Sequence, residues 1–181
     1  MSLQDIDPVP TELLTQPLDW FFAEHYRHRQ VCTLITTLAA EPDFDGRALT
    51  LVVEFIRNDL ALHVIDEEED LFPLLRRRAL AEDEIEPALG RLSSEHKADI
   101  AHAQLVREGL EACLADRRAP SRDAAISKAM RDFASQEMRH LALENAIVLP
   151  IARLRLSDSD LAGLSRRLGA RRGVILPVQP A

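Results

Sequence analysis

Four stretches of this chain space apolar residues three and four positions apart, which gathers side chains onto one face of an α-helix. The first stripe is Leu18, Phe21, His25, His28, Cys32, Ile35 and Ala39; the second is Val53, Ile56, Leu60, His63, Glu67, Leu71 and Leu74. The third is Leu89, Leu92, His96, Asp99, Ala103, Val106, Leu110 and Cys113; the fourth is Ile126, Met130, Phe133, Glu137, His140, Glu144, Val148 and Ile151. Each stripe is apolar at both ends and carries histidine or carboxylate in its middle.

Punctuation between the stripes sets the helix limits. Residues 41–46 form a turn cluster in which Asp43 or Asp45 can cap the second helix, and Pro73 is expected to bend or end that helix. An acidic start with Pro87 suits the third helix, Pro120 closes it, and residues 157–160 read as a capping box for a short fifth helix ending at Gly169 or Gly173. Residues 1–16 read as a flexible N-terminal arm, 17–173 as one domain and 174–181 as a C-terminal tail. The expected fold class is all-α, an antiparallel up-and-down four-helix bundle with a short fifth C-terminal helix.

Composition agrees. Only 6 Gly and 4% aromatic residues accompany 46% hydrophobic residues in 181, favouring helices over sheet. The net charge of -8 supplies no global basic field, so neither nucleic acid nor an anionic membrane is an expected partner. Arginines at 76–78, 117–118, 166–167 and 171–172 fall near helix C-terminal ends, where they complement the dipole and are expected to stay solvated. The N-terminus lacks a signal-peptide pattern and no run of 18 apolar residues occurs, so a soluble, cytoplasmic protein is expected. Cys32 and Cys113 show no CxxC spacing and read as buried thiols.

Candidate chemistry lies in a repeat. His63, Glu67 and Pro73 stand at offsets of zero, four and ten, and His140, Glu144 and Pro150 repeat that frame. Four residues apart on a helix, each His and Glu point at one place, and Glu24-His25 and Glu95-His96 supply a histidine upstream of each copy. His25, His63, Glu67, His96, His140 and Glu144 all fall on inward faces, where an unpaired carboxylate is costly and a metal removes that cost. Four imidazoles with two carboxylates suit a first-row transition metal, iron first, and two carboxylates able to bridge suggest two ions side by side.

His28 and Glu137 are neighbouring candidates for a further ligand or proton relay, with a His28 to Asp99 hydrogen bond as another possibility. Glu68, Glu69 and Asp70 have Asn145, Ala146 and Ile147 as repeat partners and read as a solvated face. Cys32 reads as packing, and Trp20, Phe21 and Phe22 as core.

These motifs resemble the hemerythrin family, the HHE cation-binding domain, over about residues 17–155. The resemblance implies a non-haem di-iron centre, two iron ions with an oxo or hydroxo bridge, in which His25, His63, His96 and His140 are terminal ligands and Glu67 and Glu144 bridge. It implies a small diatomic ligand or peroxide as partner and a role in oxidative or nitrosative stress response or sensing. The enzyme alternative is peroxidase-like or catalase-like; another is metal storage or delivery, including iron-sulfur cluster repair. Oxygen-carrying members have a fifth histidine one turn after a ligand, where this chain has Arg29 and Ile100.

Overall fold

The computed structural model describes residues 6–176, whose regular structure is helical with no strand among them. Helix α1 spans Pro17–Leu38. Helices α2 (Gly46–Glu54), α3 (Ala61–Ile65) and α4 (Phe72–Arg78) are joined without a break by π-helical segments Phe55–Leu60 and Asp66–Leu71, giving one continuous rod. Helix α5 covers Glu86–Ala115. Helix α6 (Ala124–Leu143) continues through the π segment Glu144–Val148 into α7 (Leu149–Arg155), and α8 is Asp158–Arg171. No helix among the described residues is long and apolar enough to cross a membrane.

The caps are local and specific. Asp45 accepts from the Ala48 N–H at 3.0 Å. Asp123, not singled out from the sequence, accepts from the Ala125 and Ile126 N–H groups and starts α6. Ser157 and Asp160 form the expected capping box. Of the two candidate stops for α8, Gly173 is the terminator: its φ of 69° is left-handed, and its N–H reaches the Ala170 carbonyl while the Val174 N–H reaches that of Gly169. Gly169 lies within the helix, and a Cβ there would meet the Val174 oxygen at 2.8 Å.

Of the two outcomes expected of Pro73, a bend or an end, the structure excludes the end: the helix runs on to Arg78. A helix-interior proline lacks an N–H and crowds the carbonyl four residues back. The π turn that directly precedes Pro73 widens the backbone there, and another π segment precedes Pro150. Both helices continue past their prolines. Such insertions occur often at functional sites, and here they hold Glu67 and Glu144.

Apolar side chains form two clusters. One gathers Val31, Ile35, Leu49, Val52, Phe55, Val106, Leu110, Met130 and Phe133. The other gathers Leu14, Leu18, Phe21, Leu71, Phe72, Leu89, Leu92, Val148, Leu149, Leu164 and Leu168. Each long helix contributes to both clusters, with its polar site residues between. Residues 11–15, within the stretch read as an arm, form a 3-10 helix, and Leu14 is fully buried among the residues of the second cluster. Residues 1–5 and the tail beyond 176 lie outside the described residues.

Candidate metal centre

All six residues drawn from the repeat lie between the two apolar clusters and are buried, His25, Glu67 and Glu144 completely. They form two groups that overlap in the carboxylates: His25, His63, Glu67 and Glu144, then Glu67, His96, His140 and Glu144. Within each group, one ligand atom per residue lies within 4.8 Å of the others.

The Nε2 atoms of His25, His63 and His96 lie 3.2–3.6 Å from the nearest carboxylate oxygens, and that of His140 lies 2.9 Å from Glu144. Yet all four Nε2 atoms and all four carboxylate oxygens lack a hydrogen bond. Eight buried polar atoms converging without partners would be strongly unfavourable in an otherwise apolar interior. Their donor set fits a cation, because each supplies a lone pair directed at a common space.

The opposite ring nitrogens are all engaged. His63 Nδ1 donates to Glu24 at 3.1 Å, His96 Nδ1 to Glu68 at 2.7 Å, His140 Nδ1 to Glu95 at 3.2 Å and His25 Nδ1 to Asn145 Oδ1 at 3.1 Å. A carboxylate acceptor places the proton on Nδ1 and leaves the Nε2 lone pair inward, the arrangement that orients histidines for metal binding. The pattern is reciprocal: Glu24 and Glu95, each preceding a site histidine, serve a histidine on the next long helix. Glu68 and Asn145, each following a site glutamate, serve a histidine on another helix.

Phe21 meets the His25 and His63 rings edge-on, with centroids 6.4 and 6.0 Å apart, and Phe72 stacks on His96 at 5.9 Å. Electrostatics in the metal-free protein follow from this crowding. Burial works to lower the pKa of His63, but Glu67 and Glu24 outweigh it and raise it to about 10; His140 rises to about 10 through its Glu144 contact, again against burial. Burial and the charge on Glu67 together raise Glu144. A cation entering this site exchanges with protons on the imidazoles, so metal binding releases protons.

A cleft beside the site is lined by Leu60, His63, Val64, His96, Asp99, Ile100, Glu137 and His140. Val64 is partly exposed and Ile100 is 52% exposed, so the cleft connects three of the site histidines with the surface.

The family description Hemerythrin HHE cation binding domain matches residues 16–152. The chain belongs to the hemerythrin family. The matched span contains three of the long helices, the fourth as far as residue 152, and the six site residues, so the His and Glu groups that the structure brings together lie within a recognised cation-binding domain. Among curated proteins and solved structures, nothing matches the chain.

The hemerythrin motif residues meet as the repeat implied, whereas several expectations about their surroundings do not hold. His28 pairs with Glu137, Nδ1 to Oε1 at 2.9 Å, and not with Asp99; both partners are buried. That bond holds Glu137 below the ordinary carboxylate range although burial opposes it. Burial and the neighbouring His63 lower the His28 pKa. Asp99 is 5% exposed, and neither carboxylate oxygen has a hydrogen-bond partner.

The acidic run after Glu67 is not a uniformly solvated face. Glu68 serves His96, Asp70 is 4% exposed and pairs with Arg167 and Arg171, and only Glu69 lies open. Arg171 and Arg172 are correspondingly not free cations at a helix end. Arg172 Nη2 reaches Glu24 at 3.0 Å and fully buried Asp66 at 2.7 Å, and its guanidinium lies 4.7 Å over Trp20. Phe22, read as core, is 51% exposed, while Trp20 and Phe21 are buried.

The roles of Glu24, Glu68, Glu95 and Asn145 were not assigned from sequence. Their adjacency to the six site residues was the available signal. A residue next to a ligand on a helix points about 100° away from it, toward the neighbouring helix that carries another ligand.

Proposed function

We propose that this protein is a hemerythrin-like di-iron protein that binds or reacts with O2, NO or peroxide in the cytoplasm, in stress response or sensing. His25 and His63 would hold one iron and His96 and His140 the other, with Glu67 and Glu144 bridging the pair. The observation that carries this reading is the convergence of eight unpartnered, buried ligand atoms in two groups sharing both carboxylates. Four imidazoles and two carboxylates cannot complete the coordination of two ions, so positions remain for a small ligand. Iron supplies redox chemistry and small-molecule binding there; the chain orients the imidazoles through their Nδ1 bonds and limits solvent with Phe21 and Phe72.

Successive long helices meet the two apolar clusters in opposite order, which supports an antiparallel up-and-down arrangement. Phe21 precedes His25 and Val31 follows it, whereas Leu60 precedes His63 and Leu71 follows Glu67; Leu92 and Ala103, then Ala134 and Val148, repeat the alternation. Arg29 and Ile100, in place of a fifth histidine, favour reaction or sensing over reversible oxygen carriage.

The test is elemental analysis of protein purified without added metal, with visible spectra of the reduced form before and after air or NO. Iron near two per chain with an oxygen-dependent or NO-dependent band is the expected result. Zinc in its place, or metal well below two per chain, would overturn the reading.

A further inference from the structure

Among the described acidic side chains outside the six-residue cluster, Asp99 has both carboxylate oxygens buried and without a hydrogen-bond partner. It stands on α5 one turn after His96 and lines the cleft that reaches His63, His96 and His140. The other polar side chains of that wall are engaged: the three histidines bond through Nδ1 to Glu24, Glu68 and Glu95, and Glu137 bonds to His28. Leu60, Val64 and Ile100 supply the apolar remainder.

An ionised carboxylate offers acceptors only. Facing a molecule that carries an O–H or N–H, it gains a charge-assisted bond in a medium poor in competing water. Facing NO or O2, which carry no donor, it stays desolvated and unpaired. We propose that Asp99 is the ligand-selecting residue of this cleft: it accepts a hydrogen bond from the small molecule bound beside His96 and His140, so the site favours protic ligands such as hydrogen peroxide over bare diatomics. The inference rests on the functional reading above, because it needs a ligand at the metal centre.

Three proteins decide it: the metal-loaded wild type, Asp99→Leu, which removes both acceptors, and Asp99→Asn, which keeps one. Metal per chain and folding by circular dichroism are measured first. Dissociation constants follow from stopped-flow absorbance, for hydrogen peroxide on the oxidised form and for NO on the reduced form. The expected result is unchanged metal content, peroxide binding weakened about tenfold or more in Asp99→Leu and less in Asp99→Asn, and NO binding within about twofold of wild type or tighter.

Peroxide binding unchanged in Asp99→Leu, or NO weakened as much as peroxide, would overturn the role of Asp99 alone. Loss of metal from both variants also overturns it, by making Asp99 a ligand rather than a selector. A wild type that binds neither molecule brings down the functional reading itself. If Asp99→Leu fails to fold, the Asp99→Asn comparison carries the same decision.

Discussion

Glu68 and Glu69 are neighbours in one acidic run, yet they differ in what they touch. Glu68 binds the His96 imidazole at 2.7 Å and accepts from the Ser93 hydroxyl at 2.9 Å, while the Glu69 side chain is 66% exposed and pairs with Arg171 only at the surface. Removing the group that orients a metal-bound histidine costs about tenfold to a hundredfold in metal affinity. Glu68→Ala should therefore weaken metal binding by that factor in a chelator competition, whereas Glu69→Ala should leave it unchanged. The six converging residues were legible because period and repeat both mark them. The difference between Glu68 and Glu69 was not, because it depends on where α5 lies beside the helix, and the comparison with Asn145 obscured it: amide and carboxylate both accept a hydrogen bond from a histidine.

At the scale of elements, the stripes predicted the interiors of the long helices well, since 3.6-residue periodicity reports burial directly. The π segments escaped because one extra residue per turn shifts a stripe too little to see against a three-four alternation. Helix α8 was expected from its capping box, but its purpose was hidden: Arg171 and Arg172 reach Asp66, about a hundred residues away, and no local pattern encodes such a pair. Asp66 is fully buried, so taking Arg172 away leaves its carboxylate undercompensated, and Glu24 loses a partner while it still holds His63. Arg172→Ala should destabilise the metal-free protein by about 3 kcal/mol in urea denaturation. Exposed Arg166→Ala should change it by less than about 0.5 kcal/mol.

For the whole molecule, the polar layer separates two apolar clusters that share the long helices. Each cluster has aromatic anchors, Phe55 and Phe133 in one and Phe21 and Phe72 in the other, but the layer between holds eight converging ligand atoms that, without a cation, only shared protons can pair. Chelation should lower the melting temperature and make the transition depend on metal concentration, because a ligand that binds only the folded state stabilises it by mass action. A melting temperature indifferent to chelator would show that the layer is satisfied by protons alone.

The same layering makes the metal-free chain resemble two blocks joined at a waist. Cooperativity between the blocks then passes through four helical rods whose central turns carry the converging, unpartnered ligand atoms, and two of those rods carry widened turns there. Amide exchange in the stripped protein should be fastest around residues 63–70 and 137–145 and slow near Leu49 and Leu89, while loading metal should merge the protection into one profile. On this view the ion acts as a buckle, and the mechanical unity of the molecule becomes a property that metal supply switches.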